Sequence, residues 1–347
     1  MNKDKLVLLS LTILTVVAVG FVLKVAKPVI LPLVIAWLMT FIFGPAINFM
    51  TQRKIPLPVA ITVIMLLLSG VVFLSVFFLH GRVVAIAAEF PRYEEKFIRI
   101  GTEIAGALPL AYNPLTDFDW GKSARSTLVT LSGSFFSIVS YLVMVMIFLA
   151  FLLSGKPYVQ QKMDRALSKK TADQMKIISS SISSQISRYL WAMVLISFLT
   201  GCLIWLVLTI IGIDFAITWG ALAFFFNFIP VIGSVAASIP PILLALVQFY
   251  PSIWPGLITL IAITVVQMTM GNFITPKILG DRLHLSPVVI LLSLLFWGWL
   301  WGIVGALLAV PIASAIKITC ENINELHPIG VMMGSGRRFW KESQSIK

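Results

Sequence analysis

The polar side chains that could do chemistry inside the apolar runs of this chain are nearly all uncharged. They are Asn227, Gln248, Gln267, Asn272 and Thr275. A buried amide or hydroxyl costs free energy unless it finds a hydrogen-bond partner. These groups therefore either bridge helices or bind a neutral, hydroxylated ligand. The ligand hypothesis selects the amides of Asn227, Gln267 and Asn272.

Charged side chains stand at the margins of the apolar runs. No Asp, Glu, Lys or Arg lies deep within one, and the nearest acids to the irregular stretches described below are Asp214 and Asp281. Intramembrane carboxylates are the usual carriers of protons and sodium, so their absence argues against a deep acidic ion site. We interpret Asp214 and Asp281 as boundary residues that are also candidates for ion coupling.

The sequence carries no pattern of an enzyme or a metal site. His80, His284 and His327 lack metal-ligand spacing, and Cys202 and Cys320 belong to no cysteine framework. The chain contains no GxxxxGK[ST] loop and no GxSxG or HExxH motif. We therefore predict no catalytic residue, no cofactor, no metal and no ATP hydrolysis.

Composition places the chain in a membrane. Of its 347 residues, 59% are hydrophobic and 12% are charged, and the mean hydropathy is +0.99. Soluble domains are about 45–50% apolar and about 25% charged. The net charge of +12 comes mainly from Lys and Arg beside the apolar runs, as the positive-inside rule requires. Nucleic-acid binding has no support, and the lipid bilayer is the expected surrounding.

Two apolar stretches, residues 215–249 and 286–316, contain helix-breaking residues near their middle. The first carries Pro230, Gly233, Pro240 and Pro241, and the second carries Gly298, Gly302, Gly305 and Pro311. Non-helical backbone is tolerated at membrane depth only where protein or a water-filled cavity covers it. Paired broken segments are the best sequence indication of a transporter's binding site. The competing interpretation of each stretch is a kinked structural span.

The apolar pattern predicts an all-α, polytopic membrane protein with about six full spans plus the two broken or re-entrant segments, or with eight spans. From Thr171 no helix breaker appears before Gly201, which predicts one helix of about 40 residues. In order, we assign residues 1–80 to membrane helices 1–3, 81–128 to a polar insert with an amphipathic helix, 129–153 to helix 4, 154–190 to an amphipathic helical stalk, 191–316 to a membrane core and 317–347 to a polar tail.

Loop charge predicts the orientation. The strongly basic segment 154–190 should be cytoplasmic. Counting spans from it places both termini in the cytoplasm and the nearly neutral segment 81–128 outside. If both broken stretches are hairpins, residues 275–285 are also cytoplasmic, whereas kinked full spans would place them outside.

Three segments resemble one known family. They are VLKVAKPVILPLVIAWLMTFIFGPAINFM (22–50), NFIPVIGSVAASIPPILLAL (227–246) and GNFITPKILGDRLHLSPVVILLSLLFWGWLWGIVGALLAVPIASAIK (271–317). They are similar to the autoinducer-2 exporter (PerM-type permease) family of bacterial inner-membrane transporters. The resemblance implies about eight membrane segments and homo-oligomers, which are pentamers for at least some relatives. It also implies export of autoinducer-2 by some members and sodium or lithium/proton antiport by others.

Three hypotheses follow from the residues and the resemblance together. The first is a secondary transporter of the bacterial inner membrane that exports a small polar molecule, with autoinducer-2 as the candidate. Its predicted substrate-binding residues are Asn227, Pro230, Gly233, Pro240, Gln267, Asn272, Gly302 and Gly305. The second is a sodium or lithium/proton antiporter that uses Asp214 or Asp281. The third is a non-transporting scaffold whose stalk recruits partners.

Overall fold

The computed structural model describes residues 11, 14–15, 18–107, 120–229, 232–279 and 285–334. Within these residues the chain is almost entirely helical, and the β-pairing is one isolated bridge between Leu285 and Gly334. The all-α prediction is confirmed. Of the predicted first span, residues 6–25, positions 6–10, 12–13 and 16–17 lie outside the described residues.

Residues 18–25 are helical, and eleven further α-helices follow in the described residues from Lys27 onward. They are α1 (Lys27–Gln52), α2 (Leu57–Ala107), α3 (Trp120–Ala166), α4 (Lys169–Ile211), α5 (Ala216–Phe226), α6 (Ile232–Gln248), α7 (Trp254–Thr269), α8 (Thr275–Leu279), α9 (Pro287–Trp301), α10 (Ile303–Asn322) and α11 (His327–Met332). A π-helical turn, Met270–Ile274, joins α7 to α8, and a 3-10 turn, Asn324–Leu326, joins α10 to α11.

Six helices in the described residues are long and apolar enough to cross a membrane. They are Lys27–Gln52, Leu57–Ser75, Val139–Ala166, Lys169–Ile211, Trp254–Ile278 and Ile303–Asn322. Five of them overlap the predicted membrane segments 1–80, 129–153 and 191–316, and the sixth is the second half of the broken stretch 286–316. The helices α5, α6 and α9 are apolar but shorter. The chain is therefore a multi-pass membrane protein.

Close contacts divide the chain into two units. One comprises Met1–Ile64, Tyr141–Trp191 and Asp281–Lys347, and the other comprises Met65–Ser140 and Ala192–Gly280. The second unit contains α5, α6 and α7, and the first contains α1, α9, α10 and α11. Each of the two broken stretches therefore belongs to its own unit.

The third span and the predicted amphipathic helix of the insert are one continuous helix. Helix α2 runs for 51 residues and includes Pro91, so the helix continues past the predicted segment boundary at residue 80. A single glycine costs a helix only about 1 kcal/mol, and the flanking residues favour helix strongly enough to continue it. Residues 81–107 of α2 are called the insert helix below.

The predicted stalk consists of two antiparallel helical segments. Helix α3 continues to Ala166, and α4 begins at Lys169 and runs for 43 residues, which confirms the long helix predicted from Thr171 onward. The Ser168 hydroxyl accepts a hydrogen bond from the Thr171 N–H at 3.3 Å and so caps α4. An ion pair of 2.6 Å between Lys176 and Asp164 joins the two segments.

Both breaks lie within the predicted stretches, but only part of each predicted set of helix-breaking residues interrupts the helix. In the first stretch the helix is interrupted between Phe226 and Ile232, and Pro240 and Pro241 lie inside α6. In the second the interruption is at Gly302, whose φ of 72° ends α9. Gly298, Gly305 and Pro311 are helical. Each internal proline removes one backbone hydrogen bond, which membrane helices tolerate where neighbouring groups compensate for it.

Candidate functional site

The first broken stretch is a helical hairpin whose two ends meet. The Gln248 side chain joins them, because its Nε2 donates to the Gly212 carbonyl at 2.8 Å and its Oε1 accepts from the Asp214 N–H at 2.9 Å. The stretch therefore enters and leaves at the same end of the second unit. We call residues 212–250 the first hairpin. This geometry supports the re-entrant interpretation and contradicts a kinked single crossing.

The arms of the first hairpin are too short to cross a bilayer. Helix α5 has 11 residues and α6 has 17, which correspond to about 16 and 25 Å. The hydrocarbon core of a bilayer is about 30 Å thick. Since the base of the hairpin is polar and its arms are apolar, its tip, which begins at Asn227, is expected within the hydrocarbon depth.

Gly233 allows the two arms to meet at the tip. A Cβ built on Gly233 would approach the Phe226 carbonyl oxygen closer than the 3.0 Å that real Cβ atoms respect. Any side chain at position 233 would push α6 away from the end of α5. Gly233 is thus predicted from sequence as a site residue, and in the structure it has a packing role.

Asn227 joins the tip to α4. Its side-chain Nδ2 donates to the Ser197 hydroxyl at 3.0 Å, and Ser197 is fully buried. The side-chain oxygen of Asn227, Oδ1, is an acceptor that this hydrogen bond does not use. The amide therefore positions the end of α5 and also carries an acceptor that could bind a solute.

The interior behind the tip is a cluster of aliphatic side chains from α4, α5, α6, α7 and the turns that follow α4 and α7. Its buried members are Ile196, Ile204, Leu208, Ile213, Ala223, Ala237, Ala245, Ile263, Val266 and Met270. Met270 is buried in this cluster and Ile274 packs against it. Gln267 is half-buried, whereas Asn272 is exposed in the π-helical turn. The structure therefore brings Gln267 closer to the core than Asn272.

A polar network at the base of the first hairpin attaches it to the insert helix. The Tyr93 hydroxyl donates to the Asp214 carboxylate, and Lys96 Nζ donates to the Gln248 carbonyl at 2.7 Å. The Trp219 indole N–H donates to the Asp214 carbonyl at 3.0 Å. Burial and the Asp214 carboxylate raise the pKa of Tyr93. Asp214, predicted as an ion-coupling residue, is therefore a member of a structural clamp.

A second contact extends this clamp. The Tyr250 hydroxyl donates to Glu103, which also accepts from Arg99 at 3.0 Å. The hydrogen bond from Tyr250, followed by that from Arg99, lowers the pKa of Glu103. Tyr93, Lys96 and Glu103 were missed in the sequence because the partner of each lies more than a hundred positions away.

The second broken stretch repeats the same construction in the first unit. A Cβ on Gly305 would collide with the Trp297 carbonyl oxygen, as one on Gly233 would with Phe226. At its base, the Ser286 N–H donates to the Met333 carbonyl at 2.9 Å. We call residues 286–322, comprising α9 and α10, the second hairpin. The sequence similarity between the two stretches thus has a structural counterpart at Gly233 and Gly305.

The second hairpin contains charged residues that the sequence interpretation overlooked. Lys317 is only 4% exposed, and its ammonium pairs with Glu321 at 2.8 Å. Lys317 directly follows the apolar stretch and is the first residue of the predicted tail, 317–347. The signal that could have identified it is the i, i+4 spacing of opposite charges within a helix.

Two predicted site residues, Pro230 and Asp281, lie outside the described residues. Among the described residues, no group of three or more His, Cys, Asp or Glu side chains could hold a metal ion. Pro240 is half-buried within α6. Gly302 forms the tip of the second hairpin. Gly302 and Gly305 belong to a different unit from Asn227, Gly233, Pro240, Gln267 and Asn272.

Comparison with known proteins agrees with this architecture. The model of the AI-2E family transporters matches residues 11–325. A protein of Borreliella burgdorferi, provisionally named as a transport protein, is 32% identical over 311 residues, covering 90% of this chain and 86% of its own.

Two proteins of Escherichia coli strain K12 are also similar. YhhT, likewise named provisionally as a transport protein, is 32% identical over 344 residues, which cover 95% of each chain. The AI-2 transport protein TqsA is 28% identical over 344 residues, which cover 96% of each chain. Both matches extend over both hairpins. The chain therefore belongs to the AI-2E family of transporters, and it is a membrane transport protein and not an enzyme.

Proposed function

We propose that this transporter exports a small, neutral, hydroxylated molecule across the bacterial inner membrane, with autoinducer-2 as the candidate. The observation that carries the proposal is the tip of the first hairpin, where the interrupted helix and the Asn227 amide lie among apolar helices. Broken helices at membrane depth expose backbone groups that can bind a polar solute. The name of the relative TqsA supports the choice of autoinducer-2 as the first solute to test.

The same proposal includes an orientation and an assembly. The basic segment 154–190 is assigned to the cytoplasm by its charge. The insert helix and the base of the first hairpin then face outward, and the base of the second hairpin faces the cytoplasm with the tail. Homo-oligomerisation, as pentamers in some relatives according to the family resemblance, completes the proposed assembly.

Two substitutions at one hydrogen bond test the site. Asn227→Ala removes the tether to α4 and also the acceptor oxygen offered to the solute. Ser197→Ala removes only the partner of the tether. Solute binding at Asn227 therefore predicts a larger loss of efflux for Asn227→Ala than for Ser197→Ala. Efflux of autoinducer-2 is measured from proteoliposomes, with and without a proton gradient, at equal amounts of folded protein.

The outcomes separate the hypotheses. Equal losses in the two variants would show that Asn227 is only a structural tether. Proteoliposomes that move sodium in exchange for protons but not autoinducer-2 would favour the antiport hypothesis. Proteoliposomes that move neither would leave the export proposal without support. The antiport hypothesis itself predicts loss of exchange in Asp214→Asn.

A further inference from the structure

Two unsatisfied polar groups, one on α4 and one on the second hairpin, lie near each other. Three buried side-chain polar atoms in the described part of the chain have no hydrogen-bond partner, and two of these are the hydroxyls of Tyr189 and Ser314. The Ser314 hydroxyl is near enough to influence that of Tyr189, yet the pair does not have hydrogen-bond geometry. Tyr189 is 4% exposed and Ser314 is fully buried. Native proteins rarely leave such groups without a partner.

Lys317 adds further unused donors on the same helix. Its ammonium has three N–H groups, and its one partner in the described residues is Glu321 at 2.8 Å. Ser314, Lys317 and Glu321 follow one another at spacings of three and four, which place them along one face of α10. The face that carries the unsatisfied Ser314 hydroxyl therefore also carries a buried ammonium with unused donors and its carboxylate partner.

The charge of this group limits what it could bind. Lys317 and Glu321 compensate each other, so the cluster is neutral as a whole. A bound anion or cation would add an uncompensated charge to a buried site, which is costly. A neutral molecule with several hydroxyl groups adds none. It can accept hydrogen bonds from the ammonium and the two hydroxyls, and it can donate to the carboxylate.

We propose that Tyr189, Ser314, Lys317 and Glu321 form a binding site for a neutral polyhydroxylated solute within the first unit. The site lies between the membrane end of the stalk segment of α4 and the second arm of the second hairpin. The assignment of a neutral polyhydroxylated solute as its ligand rests on the proposed export function. Its existence rests on the unsatisfied buried groups, and its test therefore measures binding without requiring transport.

The decisive variants remove hydroxyls that have no partner within the described residues. Tyr189→Phe and Ser314→Ala each delete one oxygen and change little else. An unsatisfied buried hydroxyl weakens the folded protein, so both variants should have a Tm at least equal to that of the wild type without solute. With solute, each should bind about fivefold more weakly, because each loses one hydrogen bond to the ligand.

Matched controls change the same residue types elsewhere in the same unit. Tyr158→Phe alters a tyrosine that is 63% exposed on α3. Ser180→Ala alters a serine of α4 whose hydroxyl donates to the Ile177 carbonyl at 2.9 Å. Both controls should bind the solute as tightly as the wild type does.

The assay follows the Tm of the full-length protein in detergent by tryptophan fluorescence. The probes are D-ribose, a neutral polyhydroxylated molecule, and D-ribonate, an anion with the same number of carbon atoms. We expect D-ribose to raise the Tm of the wild type and of both controls, and to require about fivefold higher concentrations in Tyr189→Phe and Ser314→Ala.

Four results would overturn the proposal. They are no Tm shift of the wild type with D-ribose, an equal shift in the wild type and the two decisive variants, a shift with D-ribonate alone, and a lower Tm of both decisive variants without solute. D-ribose binding in a protein that exports no autoinducer-2 would refute the proposed function and leave this site standing. Efflux of autoinducer-2 without D-ribose binding would refute this site and leave the proposed function standing.

Discussion

The glycines at the two hairpin tips allow a quantitative test of the fold. Gly233→Ala places a methyl group against the Phe226 carbonyl, and Gly305→Ala places one against the Trp297 carbonyl. In each case the obstacle is backbone, which cannot rotate away as a side chain can. The second arm would have to move by about 1 Å or more, and overpacking of this kind typically costs about 1–3 kcal/mol.

A matched substitution separates this collision from the helix preference of alanine. Gly70 lies in α2 with no atom within 4 Å of the position that its Cβ would take. Gly70→Ala should therefore be neutral or should stabilise the protein by up to about 1 kcal/mol. The tip variants gain the same helix preference of alanine, but their free energy of unfolding should still fall by about 1–2 kcal/mol relative to the wild type.

The assay is thermal unfolding of the full chain in detergent, together with solute efflux from proteoliposomes. A loss of about 1–2 kcal/mol corresponds to a drop in Tm of roughly 1–3 °C for a protein of this size. We expect Gly233→Ala and Gly305→Ala to show this drop and reduced efflux, and Gly70→Ala to show neither. Wild-type Tm and efflux in both tip variants would refute the close approach of the arms.

Three further predictions concern the insert helix and the topology. Tyr93→Phe removes the hydroxyl that donates to Asp214 and should raise hydrogen exchange in the insert helix by about fivefold or more. The lowered pKa of Glu103 implies that its carboxylate stabilises the folded protein. This stabilisation is present above the ordinary pKa of about 4.3 and is lost as the pH falls through the lowered pKa. Hydrogen exchange in the insert helix, corrected for intrinsic rates, should therefore rise below about pH 4, and Tyr250→Phe should weaken this pH dependence. Lys277→Cys, in a cysteine-free background, should react with an impermeant maleimide from the cytoplasmic face.

Each of these predictions has a control and a contrary outcome. Tyr141→Phe, on α3, should leave hydrogen exchange in the insert helix unchanged. Equal exchange in Tyr93→Phe and the wild type would contradict stabilisation of the insert helix by the Tyr93–Asp214 hydrogen bond. Exchange that is independent of pH down to about pH 3 would contradict the Glu103 contribution. Gln52→Cys, at the end of α1, precedes both hairpins and should react from the cytoplasmic face in either topology. Labelling of position 277 from the outer face, with position 52 labelled from the cytoplasm, would contradict the hairpin topology.

Much of the architecture could be predicted from the sequence. Apolar runs longer than about 18 residues predict membrane helices, and five of the six long apolar helices in the described residues overlap predicted membrane segments. The two broken stretches were also identified from their glycines and prolines. Which of these glycines and prolines interrupt the helix was not predicted, because Pro240 and Pro311 are tolerated inside helices whose neighbours stabilise them.

The candidate site was predicted only in part. Asn227 and Gly233 were selected as polar and helix-breaking residues, and both lie at or beside the tip of the first hairpin. Lys317 was passed over because it directly follows an apolar stretch, where a lysine normally reaches the membrane surface. Its burial depends on helices that pack around α10, and hydropathy alone contains no information on that packing.

The sequence by itself determined the class of protein, since 59% hydrophobic composition in runs of membrane length leaves helices in a bilayer as the stable arrangement. Only the tertiary structure decided that each broken stretch is a hairpin. That decision depends on contacts between distant residues, such as Gln248 with Gly212 and Ser286 with Met333. A glycine or proline indicates where a helix can end, whereas contacts with distant residues determine the direction of the chain beyond that point.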